Sequence, residues 1–176
     1  MKKGETMYFE GELFRNTDFY FRCLSEQDLE KSNYLQWMRD SISNPFIEAV
    51  DPLYSLTSLK SYLNNINSSV NAISIGFFDI HTDKHIGNIK FHDIDSINKT
   101  SWLGILIGDE LFRRKSKGEL IIRDSVTWIE QKFSVNIFYL GVTKKNLPAI
   151  KCYLKSGFII KDENSDDAKY TMIKAV

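Results

Sequence analysis

The sequence predicts an α/β fold, because two hydrophobic periods alternate along the chain and turn residues separate them. Apolar residues recur at helical spacing in some segments, with strand-like alternation or unbroken apolar runs in others. Turn-forming residues punctuate the boundaries, as in Asn44-Pro45, Asp51-Pro52 and His81-Thr82-Asp83-Lys84. The expected architecture is a mixed, mostly antiparallel central sheet of six to seven strands flanked by about four helices. A chain of 176 residues is long enough to bury one core, so residues 1–176 are read as a single domain.

The elements follow in order. Met1 to Thr6 are polar and expected to be loose. Asp18 to Leu24 alternates and is rich in aromatics, which predicts a strand. Ser25, with Asp28 three residues on, has capping-box spacing and opens a helix carrying Leu29, Tyr34, Trp37 and Met38. Leu56, Leu59, Tyr62, Leu63 and Ile66 mark a second helix. The period then changes: 72–80, 85–91 and 101–107 read as a three-strand meander with a hairpin turn at 81–84. Ile122, Val126, Ile129 and Phe133 give the core face of a long helix, and 136–142 returns as a buried strand. Pro148 starts a short helix that stops at Ser156-Gly157, before strands at 158–160 and 170–173.

Composition excludes several classes. Hydrophobic residues make up 43% and charged residues 26%, ordinary for a globular protein. Lysine plus arginine equals aspartate plus glutamate at 23 each, so the basic excess of a general nucleic-acid binder is missing. No apolar run approaches 20 residues, and the N-terminus has no signal-peptide core, so no membrane partner is expected. Cys23 and Cys152 are far apart, which suits reduced thiols and a cytoplasmic location. His81, His85 and His92 form no convincing metal set.

Two segments carry chemistry. In Leu106 to Glu119 an apolar strand runs into a basic loop and then an amphipathic helix. That order places free backbone N–H groups at a helix N-terminus, where the orphan donors and the helix dipole both favour an anion. The second segment is Asn146-Leu147-Pro148-Ala149-Ile150-Lys151-Cys152-Tyr153-Leu154-Lys155-Ser156-Gly157-Phe158.

Together these segments resemble the GNAT superfamily of N-acetyltransferases, nearest the subgroup of ribosomal-protein-alanine acetyltransferases. Arg113-Arg114-Lys115-Ser116-Lys117-Gly118 resembles the family's Gln/Arg-x-x-Gly-x-Gly/Ala pyrophosphate loop. The second segment matches Asn-x-x-Ala-Ile-x-x-Tyr-x-x-x-Gly-Phe. The resemblance implies a splayed central strand pair with pantetheine in the gap, acetyl-coenzyme A as co-substrate and a primary amine as acceptor. It implies that backbone groups of Leu106, Ile107 and Gly108 bond the pantetheine, and that amides of Arg113, Arg114, Lys115, Ser116, Lys117 and Gly118 hold the pyrophosphate. Asn146 and Ala149 are further expected cofactor contacts. Tyr153 is expected both to touch the cofactor and to protonate the departing thiolate, a role a neutral phenol can fill.

The chain departs from the pattern at Arg114 and Ser116, where the family usually has glycine, and at Trp102, where related members often have a glutamate that relays the amine's proton. The base is then sought elsewhere, with His92 or Asp93 as candidates. His85 to Lys90 and the Trp102 strand are similar to acetyltransferases of nucleotide-linked amino sugars. The expected acceptor is such a small molecule, and the expected state a monomer or homodimer. A protein N-terminus, an antibiotic, or a degenerate coenzyme A sensor without turnover stay open.

Overall fold

The computed structural model describes residues 6–42, 44–47, 51–113, 117–162 and 168–176. Arg114, Lys115 and Ser116 of the expected phosphate loop lie outside the described residues. The elements are β1 (Glu12–Arg15), β2 (Phe19–Cys23), α1 (Glu26–Lys31), α2 (Tyr34–Arg39), α3 (Leu56–Asn67), β3 (Ile73–Asp79), β4 (His85–Asp95), β5 (Thr100–Ile107), α4 (Lys117–Phe133), β6 (Ile137–Thr143), α5 (Leu147–Lys155), β7 (Ile159–Asp162) and β8 (Lys169–Ala175). The fold is α/β with a mixed sheet, as the sequence predicts. The described residues hold eight strands and five helices, against the six to seven strands and about four helices expected. The backbone divides into two compact units: Met1–Lys90 with Ile105–Glu110, and Phe91–Gly104 with Leu111–Val176.

In the first unit the strand order is β1-β2-β3-β4-β5. Phe19, Phe21 and Cys23 are buried while Tyr20 and Arg22 between them are half-buried, the signature of a strand with one core face. β1 is the strand the sequence reading missed; it is short and polar at both ends, and Phe14 stacks on Phe21 at 4.2 Å between centroids. The helix expected from Ser25 is two helices. Asp28 accepts from the Ser25 N–H and hydroxyl, both at 2.7 Å, and from the Arg22 guanidinium at 2.6 and 2.7 Å. The chain then leaves helical geometry at Ser32, whose hydroxyl accepts from the Tyr34 N–H at 3.3 Å. Serine and asparagine offer the backbone this alternative, which a hydrophobic pattern does not reveal. In α3, Leu59, Leu63 and Ile66 are buried, as their spacing predicts.

The end of β5 meets α2 closely. The Gly108 and Asp109 N–H groups donate to the Ile86 carbonyl at 3.0 and 3.1 Å. A Cβ on Gly108 would stand 1.9 Å from Cδ2 of the buried Trp37 indole. Only glycine lets the backbone pass there.

In the second unit the order is β4-β5-β6-β8-β7. β6 pairs antiparallel with β8 from Ile137↔Ala175 to Thr143↔Lys169, and Phe138, Leu140 and Val142 are its buried face. α4 buries Ile122, Val126, Ile129 and Phe133, the expected stripe, along with Ile121 and Ser125.

The Gly108–Trp37 approach gives a prediction. Gly108→Ala forces the indole or the strand aside, an overpacking cost of about 1–3 kcal/mol that lowers the melting temperature by roughly 3–10 °C. The double variant with Trp37→Leu recovers part of that loss in the same thermal scan. A single variant as stable as the parent would contradict the contact.

Candidate active site

The second unit's site begins where two parallel strands stop pairing. β5 and β6 are in register for Thr100↔Ile137, Ser101↔Phe138 and Trp102↔Tyr139, yet β5 continues to Ile107 and β6 to Thr143. Each strand carries the same aromatic-Leu-Gly pattern at this point, Trp102-Leu103-Gly104 and Tyr139-Leu140-Gly141. The two leucines are buried on one side of the sheet. On the other side the indole and phenol rings stack, 5.3 Å apart and 29° from parallel. Gly104 and Gly141 are exposed, and a Cβ on either would meet nothing within 4 Å. The parted strands are therefore floored by bare backbone. Sequence reasoning missed this stack, although the repeated aromatic-Leu-Gly was a usable signal: in strands, residues two apart share a face.

α5 is built to hold Tyr153 still. Asn146 caps its start, its carboxamide oxygen accepting from the Ala149 N–H at 3.3 Å, and Pro148 occupies the first turn. At the other end the Phe158 N–H donates to the Tyr153 carbonyl and the Gly157 N–H to the Leu154 carbonyl, both at 3.0 Å. Gly157 has φ +87, so the helix closes in a Schellman motif. The Phe158 ring meets the Tyr153 ring edge-on at 6.2 Å. Tyr153 is buried, and burial pushes its phenol well above the ordinary range, so it stays a protonated donor. The neighbouring Cys152 is half-buried, and burial raises its thiol as well, so it does not supply a thiolate.

The other expected residues are distributed as follows. Gly118 is buried in the first turn of α4 and Lys117 opens that helix, while Arg113 is half-buried where the described chain breaks off. His92 is partly exposed on β4, its Nδ1 2.9 Å from an Asp93 carboxylate oxygen. A carboxylate only accepts, so Nδ1 is the donor in this contact. In the first unit, Leu106 and Gly108 are buried and Ile107 is half-buried. The Gly108 N–H donates to the Ile86 carbonyl of β4. Among the described residues no group of three or more His, Cys, Asp or Glu is placed to hold a metal.

The first unit also has a cleft of about 470 Å³ whose wall includes Arg22, Asp28, Lys31, Lys84 and His85. None of the expected cofactor residues lines it. Its charges are largely paired within the unit, Arg22 with Asp28 and Lys84 with Asp109. His85 is buried among Tyr34, Trp37 and Phe78, with Nε2 2.9 Å from the Gly87 carbonyl. Burial pushes its imidazole from 6.5 down to about 4. The unfolded chain therefore binds this proton between those two values and the folded chain does not, so stability falls as pH falls through that window. Between pH 7 and 4.5 urea unfolding should show wild type losing about 2–3 kcal/mol more than His85→Phe. Equal losses would contradict the buried neutral ring.

Comparison with known proteins accords with this geometry. The model of the acetyltransferase (GNAT) family matches residues 26–158. A ribosomal L7/L12 alpha-N-protein acetyltransferase in complex with coenzyme A superimposes with a TM-score of 0.80 at 14% identity, over 94% of this chain and 98% of that one. The spermidine N-acetyltransferase of Vibrio cholerae, in complex with CoA and spermine, gives 0.77 at 18% identity, over 91% and 96%. The ribosomal-protein-S5-alanine acetyltransferase of Vibrio fischeri gives 0.74 at 15%, over 94% and 97%. At such identities these likenesses concern the fold. No curated protein matches this chain. The chain belongs to the acetyltransferase (GNAT) family. It is an N-acetyltransferase of the acetyl-coenzyme A-dependent kind. No described helix is long and apolar enough to cross a membrane.

Proposed function

We propose that the enzyme moves an acetyl group from acetyl-coenzyme A to the primary amine of a small acceptor, a nucleotide-linked amino sugar, by direct attack on the thioester. The observation that carries the reading is the parting of β5 from β6 after Trp102↔Tyr139. Strand backbone left unpaired needs other partners, and the amide groups of a pantetheine arm supply a strand's worth of them. The coenzyme fits this chain's own residues: a capped α5 with Asn146 and Ala149 at its start, a buried Gly118 in the first turn of α4, and Arg113 and Lys117 bracketing the loop that would meet the pyrophosphate. The amide of Asn146 retains Nδ2 as a donor toward the arm, since its oxygen is used by the cap.

In the reaction His92, oriented by Asp93, takes a proton from the acceptor's ammonium at Nε2. The free amine forms the new N–C bond as the C–S bond breaks. Tyr153 gives its hydroxyl proton to the departing sulfur and regains one from solvent. Most of the acceleration comes from holding amine and thioester together and from fixed backbone donors at the carbonyl. Neutral Cys152 argues against an acetyl-cysteine intermediate. The amino-sugar acceptor is supported by the sequence of 85–90 and its similarity to enzymes of that class.

Thiol release from acetyl-coenzyme A tests the reading. Turnover with an amino sugar, and its loss by about 10²-fold or more in Tyr153→Phe with coenzyme affinity nearly unchanged, are the expected results. A parallel loss of affinity would make the ring structural, and calorimetry showing no coenzyme binding at all would remove the proposal.

A further inference from the structure

The chemistry at the strand gap does not need the Trp102–Tyr139 stack, so the pair requires its own explanation. The two residues are directly opposite in the parallel register and both rings stay half-exposed. The row continues across the sheet, Tyr139 opposite Ile173 on β8 and Ile173 opposite Ile159 on β7, with Ile159 64% exposed. On the same face the next positions of β5 and β6 are the bare Gly104 and Gly141. A half-exposed apolar shelf thus ends at a trough without side chains, at the point where the strands part. Lys161 of β7 stands over the shelf, its Nζ 5.0 Å from the centre of the Tyr139 ring. Among the described residues that ring is the ammonium's partner.

We propose that this shelf selects the acceptor, taking a sugar ring on Trp102 and Tyr139 and an anionic substituent, such as a phosphate, on Lys161. The apolar face of a pyranose can pack on the part of the Trp102 indole that its stack on Tyr139 leaves exposed, whereas an extended polyamine has no flat face to offer. The cation over the shelf repels a polycation and attracts a phosphate, so charge and shape select the same class. Gly104 and Gly141 leave the trough open, so an amine on the ring can reach the gap. Trp102 is then an acceptor-binding residue. The inference rests on the acetyl-transfer reading for its activity assays and not for its binding assay.

The test compares glucosamine 1-phosphate, glucosamine and spermidine as acceptors for wild type, Trp102→Ala, Trp102→Phe and the exposed-edge variant Lys161→Glu. In wild type the phosphorylated sugar has the highest kcat/KM. Lys161→Glu lowers the ratio of glucosamine 1-phosphate to glucosamine by about tenfold or more, the size of one lost charge contact. Trp102→Ala raises KM for both sugars by about tenfold while leaving the KM for acetyl-coenzyme A in place, and Trp102→Phe restores part of the loss. Binding is read separately, as quenching of tryptophan fluorescence by glucosamine 1-phosphate that Trp102→Phe removes. An unchanged ratio in Lys161→Glu, preference for spermidine, or no quenching overturns the shelf. Absence of thiol release with any amine instead overturns the acetyl-transfer reading, while the quenching result still decides the shelf.

Discussion

The constraint on which the second unit depends is the brevity of one parallel ladder. Backbone N–H and C=O groups must be paired wherever water is excluded. β5 and β6 meet that demand through Trp102 and Tyr139 and then abandon each other. They can do so because each is secured on its far side, β6 by seven antiparallel pairs with β8. The leucines at 103 and 140 keep the apolar side of the sheet closed while the glycines at 104 and 141 keep the other side clear. A strand gap is expensive in isolation. Here it is held open by neighbours that are not part of it.

Around that gap the chain separates tasks among elements. α5 carries Tyr153 and closes both of its ends with hydrogen bonds. β4 carries His92 beside Asp93. The outer strand β7 contributes a cation over the Tyr139 ring and an exposed isoleucine. The first unit shows a different use of polar residues. Its Arg22–Asp28 pair and capping contacts are committed to structure, and the rings packed around His85 hold it neutral.

Much of the fold was legible in the sequence, and the exceptions have physical causes. The stripe Leu59, Leu63, Ile66 and the stripe Ile122, Val126, Ile129, Phe133 are periodic because each helix has one core face. Gly157 was readable as a helix stop because few other residues accept φ +87. The break at Ser32-Asn33 was hidden, since it arises from side-chain competition for backbone groups and not from hydrophobic period. β1 was hidden because Glu12 and Arg15 give it polar ends, its pairing with β2 and the Phe14–Phe21 stack being tertiary facts. At the site, Asn146 and Tyr153 stand out by spacing within one helix. The Trp102–Tyr139 pair joins residues far apart in sequence, and only the strand register brings them together.

The closing turn of α5 has an evolutionary consequence. Tyr153 is tied through its own main-chain oxygen by the amide of Phe158, and Lys174 of β8 braces the same turn by donating to the Ser156 carbonyl at 2.7 Å. Change along β7 can therefore leave that tie in place, whereas β8, which pairs with β6 and carries Lys174, is bound to the rest of the unit. The strand β7, which starts one residue after Phe158 and bears Lys161, is thus the part of this region with the most room to vary.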